Sequence, residues 1–156
     1  MLTALRTRTV RLVASVAVVG TVATGCFAGG GNQSLPAGGL TRELYDLVNA
    51  DRAAHGLPAL GWDGQLGGLA QGWSQHMAST GQLAHRNLQE ILNAGFSGAA
   101  ENVLVGNCGM SAGQIEAAWM SSALHRRNIL GSYNFVGIGA VCANGRLWAT
   151  QNFGRR

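Results

Sequence analysis

Apolar residues at positions 44, 47 and 48 (Leu44, Leu47, Val48) recur at the i, i+3, i+4 spacing of one helix face. Thr41 ahead of them predicts an N-cap, and His55-Gly56 with Pro58 just beyond predicts the stop. A second periodic stretch carries Leu66, Leu69, Ala70, Trp73 and Met77 between a capping Asp63 and a terminating Gly81. Asn87 with Glu90 three residues on predicts a short third helix through Leu92. Ser111 with Gln114 forms a capping box before Ile115, Ala118 and Trp119, the fourth helix. The pattern then changes period. Residues 135–141 and 146–153 are β-type runs around Asn144-Gly145, a hairpin signal, and residues 102–105 predict a third short strand. Helices followed by a hairpin argue an α+β fold, an antiparallel sheet covered by helices.

The N-terminus follows another pattern. Residues 1–11 hold Arg6, Arg8 and Arg11, residues 12–23 are apolar, and Thr24-Gly25-Cys26 follow. This is the layout of a signal peptide over residues 1–25, and the apolar stretch is shorter than the roughly 20 residues of a spanning helix. Ala23-Thr24-Gly25-Cys26 resembles the bacterial lipobox, in which the Cys is diacylated and becomes the mature N-terminus. Cys26 is therefore the expected lipidation site, on the outer side of the cell membrane. Residues 26–39 are Gly-rich with Ser, Asn and Pro, the composition of a flexible tether, and residues 40–156 form the globular domain.

The full chain has 156 residues, of which 47% are hydrophobic, with four Trp. Without the leader, about 120 to 130 residues remain, enough for one core. The net charge of +4 shrinks once the three leader arginines are set aside, because eight arginines then face seven acids. A near-neutral domain lacks the basic face that nucleic-acid binding needs. We expect a monomer with no nucleic-acid partner.

Three cysteines in an exported chain leave one to explain, and lipidation of Cys26 explains it. Cys108 and Cys142 remain as a disulfide pair. Such a bridge contributes roughly 3 to 4 kcal/mol on a chain-entropy estimate. Two buried free thiols are the alternative.

His85 follows the second helix, His125 follows the Trp119 helix, and Glu101 lies between them at the start of a strand. Spacing alone gives only a weak signal here, and the three groups also read as a plain hydrogen-bonded cluster tying loops to the sheet. His55 beside Gly56 suits a helix C-terminus, His76 suits a helix surface, and Trp73, Trp119, Trp148 and Phe153 suit the core. Arg126 and Arg127 read either as a solvated corner or as a cleft rim for an acidic ligand.

Six segments in order carry a family resemblance: Leu47-Val-Asn-x-x-Arg52 with Leu57-Pro-x-Leu60; Met77-Ala78 leading to His85; Glu101-Asn102-Val103; Trp119-Met-x-Ser122 with His125-Arg-x-Asn-Ile-Leu130; Gly137-Ile-Gly139; and Trp148-Ala-Thr-Gln-Asn-Phe-Gly154. Together they resemble the bacterial branch of the CAP superfamily, or SCP domains, relatives of cysteine-rich secretory proteins, antigen 5 and pathogenesis-related proteins. The resemblance implies an α-β-α sandwich, a small antiparallel sheet with helices on both faces. It also implies a cleft where two His and two Glu can hold one divalent metal such as Zn²⁺. His85, Glu101 and His125 match three of those four. Ser122 stands where the fourth would be, and Glu116, three residues before Trp119, lies on a different helix face.

Three functions follow. One is a non-catalytic, membrane-anchored binding module for a small molecule, lipid or envelope component. The second is a metal-dependent, peptidase-like hydrolase. The third is a structural interaction protein of the envelope. Water activation needs a base as well as a metal site, so the missing carboxylate counts against hydrolysis and we take binding as the expected function, with no catalytic residue assigned.

Overall fold

The computed structural model describes residues 39–156. The leader, Cys26 and all of the tether except Gly39 lie outside the described residues.

Helix α1 (Gly39–Ala54) starts two residues before the expected cap, so Thr41 sits inside its first turn. Gly56, at φ 70°, takes the left-handed conformation that ends it. A two-residue strand β1 (Gly61–Trp62) leads into α2 (Gly64–Thr80). The α2 caps are those the sequence predicts: the Asp63 side chain accepts from the Leu66 N–H, and Gly81 closes the other end at φ 69°. The short α3 (Gln89–Asn93) follows, then β2 (Gly98–Asn107), which is longer at both ends than the 102–105 expected. Helix α4 (Ala112–Ser121) carries the Ser111–Gln114 capping box. A fifth helix, α5 (Ala123–Ile129), follows at once and was not anticipated. Strands β3 (Phe135–Ala143) and β4 (Arg146–Arg155) form the expected hairpin. Asn144 and Gly145 both have positive φ, 51° and 75°, as a two-residue turn matched to strand twist requires.

The strand order is β1-β3-β4-β2. β2–β4 and β3–β4 are antiparallel, as expected, whereas β1 runs parallel to β3 through Gly61↔Phe135 and Trp62↔Val136. The strand period of two sends alternate side chains to two layers. Val136, Ile138, Ala149 and Phe153 pack with Leu44 and Val48 of α1 and Ile115 and Trp119 of α4. On the other face, Gly137 and Gly139 bring β3 against α2 so closely that an added Cβ would fall 2.1 Å from Gly67 N and 2.2 Å from Gln71 N. The α+β fold is thus built as the sequence argued, in the α-β-α layers that the family resemblance implied.

One buried cation ties this architecture together. Arg52 of α1 is 1% exposed and donates to the carbonyls of Pro58, Ile129 and Gly131 at 2.9, 2.7 and 2.9 Å. Its guanidinium closes the C-terminal end of α5, whose last carbonyls have no partner within the helix. Burial lowers its pKa.

Cys108, just beyond β2, is disulfide-bonded to Cys142 of β3, with Cα atoms 5.4 Å apart. The link joins the same end of the sheet to which the β3–β4 turn belongs. Among the described residues, no helix is long and apolar enough to cross a membrane.

Candidate ligand-binding cleft

β2 is an edge strand, and Glu101 and Asn102 leave it on opposite faces. Glu101, 4% exposed, points to the α2 side. Its Oε1 accepts from His85 Nδ1 at 2.9 Å and from the Arg86 backbone N–H at 2.9 Å. Burial raises the Glu101 carboxyl above its ordinary range, opposed by those two donors. Oε2 is buried and has no hydrogen-bond partner. The His85 ring itself is largely in solvent, with 60% of its side chain exposed.

Asn102 is fully buried on the other face. Its Nδ2 donates to the His125 carbonyl at 3.2 Å and to Gln151 Oε1 at 3.0 Å. Asn128 of α5 completes the network, donating to Asn102 Oδ1 at 2.8 Å and to the Glu101 carbonyl at 3.1 Å. These amides clamp α5, and with it His125, to the sheet edge. The His125 pKa is lowered, first by burial and second by the nearby charge of His85. His85 lines the adjoining cleft, whereas His125 is not among its lining residues.

Between these elements lies a cleft of about 460 Å³, lined by His85, Arg86, Leu88, Glu101, Arg127 and Tyr133 among others. That volume is in the range of small-molecule sites. Arg86 is structural within it: Nη1 donates to the Leu69 carbonyl at 2.9 Å, Nη2 pairs with Glu90, and the group lies 5.8 Å from the Trp73 ring centre.

A profile of the cysteine-rich secretory protein family, CAP, matches residues 45–153. The chain belongs to this family. Two Bacillus subtilis proteins are relatives. The membrane protein YlbC is 32% identical over 124 residues, which are 74% of this chain and 34% of YlbC. YkwD is 28% identical over 123 residues, 73% of this chain and 47% of YkwD. The crystal structure of an extracellular SCP-domain protein from Bacillus anthracis aligns with a TM-score of 0.62 at 29% identity, covering 74% of this chain and 40% of that one. The chain spans less than half the length of each of these three proteins.

Within this CAP domain the departure at the fourth position is visible. Ser122 is the N-cap residue of α5 and makes no side-chain capping bond. Glu116 is 3% exposed on α4, away from the cleft, with neither carboxyl oxygen meeting a donor. Burial first, then Asp51, pushes its pKa up to about 8. It supplies nothing to the cleft.

The three sequence-derived ligands are only partly gathered. His85 and Glu101 are in contact and His125 is within electrostatic reach of His85. Among the described residues, no group of three His, Cys, Asp or Glu side chains is arranged to hold a metal ion. Glu101 Oε1 is already engaged by two donors, so the carboxylate acts as a brace for the His85 ring. His55 and His76 are exposed; His76 stacks on Trp73 at 4.7 Å. Trp119, Trp148 and Phe153 are core residues, as expected. Arg126 turns back to donate to the Met120 carbonyl at 2.9 Å, while Arg127 lines the cleft. Tyr133 and Arg86 were missed from the sequence. Arg86 was legible only as the neighbour of His85, and nothing marked Tyr133.

Proposed function

We propose that this chain is an extracellular, membrane-anchored CAP-domain protein that binds a ligand in its cleft without transforming it. The observation that carries this reading is the state of Glu101. Its Oε1 is held by His85 and by the Arg86 N–H, and its Oε2, though without a partner, is buried out of solvent, so the carboxylate is poorly placed to take a proton from an attacking water. No second carboxylate replaces it, because position 122 is Ser and Glu116 faces another layer. The cleft is open enough for a small molecule and mixes a polar wall with apolar Leu88, Ala99 and Ala100.

A divalent ion on two imidazoles is a second reading. It is favoured by the bracing of His85 Nδ1, since carboxylate-to-histidine contacts of this kind orient a ring whose other nitrogen ligates. Calorimetric titration with Zn²⁺ separates the two. Saturable one-to-one binding lost in both His85→Ala and His125→Ala supports the ion; absence of binding removes it.

The test of the binding reading is a fragment screen by NMR combined with a peptide-hydrolysis assay. Fragments that shift His85 and Tyr133 signals with no turnover support it. Hydrolysis abolished by Glu101→Gln overturns it. The anchor is tested separately: Cys26→Ser should abolish acyl labelling and release the protein, and unchanged membrane retention defeats that part.

A further inference from the structure

The charges that line the cleft are not equivalent. Arg86 is committed to Glu90 and to the Leu69 carbonyl. Glu101 is committed to His85 and the Arg86 N–H. Arg127 differs from both: it is exposed, lines the same cleft, and its guanidinium has no ion-pair or hydrogen-bond partner among the described residues. Its neighbour Arg126 is turned toward the Met120 carbonyl and is not part of the lining. Helix geometry explains the split, since adjacent residues on α5 point about 100° apart. The cleft therefore presents one cationic fork without a partner among the described residues, while Glu101, the carboxylate in its lining, has Oε1 engaged by two donors and Oε2 buried out of solvent. The same lining includes the apolar Leu88, Ala99 and Ala100 and the ring of Tyr133.

We propose that the cleft recognises an anionic head group, a carboxylate or phosphate carried on a short apolar body, with Arg127 as the residue that selects the charge. This deepens the binding reading above and rests on it. A guanidinium presents paired N–H donors that match a carboxylate or phosphate edge, and a charge-assisted pair of that kind is stronger than a neutral hydrogen bond. Two sources share this chemistry, a lipid headgroup and a free organic anion.

The experiment uses the full chain and four probes of equal chain length: hexyl phosphate, hexanoate, hexanol and hexylammonium. Binding is read by calorimetry and located by the His85 and Tyr133 NMR signals. The two anions are expected to saturate and the other two to leave the signals unmoved. Arg127→Gln should weaken anion binding by about tenfold or more, Arg127→Glu should abolish it, and Arg126→Gln should leave it unchanged. Both Arg127 variants change an exposed residue and should fold. Dihexanoyl phosphatidylglycerol, used below its micelle concentration, separates the sources: tighter binding than hexyl phosphate identifies a lipid headgroup, weaker binding a free anion. Hexanol binding as tightly with the same shifts overturns the charge selection and leaves the cleft reading intact. Anion binding that persists in Arg127→Gln also overturns it. Silence from every probe at His85 and Tyr133 overturns both.

Discussion

Asn102 Nδ2 lies 3.2 Å from the His125 carbonyl, one residue along the strand from the carboxylate that holds His85. Consecutive residues of one edge strand thus fix the two histidines from opposite faces, one through its ring and the other through its backbone.

Replacing Asn102 by Ala should loosen α5. The part-buried carbonyl of His125 and the buried Oε1 of Gln151 each lose a donor, and about 2 to 3 kcal/mol of stability should go with them. His125 would also leave the burial and the His85 field that lower its pKa, so its titration midpoint should rise toward the ordinary histidine value. NMR titration of the imidazole checks this. A loss of stability with an unmoved midpoint would reduce Asn102 to a packing role.

Glu116 makes stability depend on pH in an unusual direction. Its folded pKa, about 8, exceeds the ordinary 4.5, so between those values the folded chain holds a proton that the unfolded chain releases. Stability from this group is full below pH 4.5 and falls as pH rises toward 8, by at most about 1.4 kcal/mol per unit. Glu116→Gln should flatten that slope and raise stability at pH 8, as read by denaturant unfolding from pH 5 to 9. A parallel curve for the variant would assign the slope to other groups.

Glycines in β3 should not tolerate a methyl group. Gly137→Ala places a Cβ 2.1 Å from Gly67 N and 2.3 Å from the Leu66 carbonyl carbon, forcing α2 off the sheet. We expect a cost of about 3 kcal/mol or more. Gly68→Ala is the control: nothing lies within 4 Å of its added Cβ, and the change should be neutral or stabilising. Equal midpoints for the two variants would mean that the sheet yields.

Reduction of Cys108–Cys142, 34 residues apart, should lower stability by roughly 3 to 4 kcal/mol. The link is at the turn end of the hairpin, away from Glu101, so the His125 titration should be unchanged. A free-thiol count on the purified protein, reduced against untreated, checks the premise.

What could be read in advance follows from where each structural cause resides. α2 and α4 were legible because Asp63 and Ser111 cap them with their own side chains, and the hairpin because Asn144-Gly145 both take positive φ. α5 was not legible. It is seven residues long with no side-chain cap, and it is held by tertiary partners, Asn102 and Arg52, that sit 23 or more residues away in sequence. β1 consists of two residues whose only strand signal is the parallel partner it finds in β3. In the site, spacing alone could not bring His85 to Glu101; the family resemblance supplied that pairing. Neither route distinguished Arg127 from Arg126, since only the turn of α5 does so.

The carbonyls held by Arg52 also fix the order in which the molecule can be completed. Arg52 lies near the start of the domain, and its acceptors at Ile129 and Gly131 lie 77 and 79 residues later. A chain that ends before them leaves a guanidinium at the centre of the fold with most of its acceptors missing. The α5 wall of the cleft therefore exists only in a chain synthesised past Gly131, and a product truncated ahead of Ile129 lacks that wall.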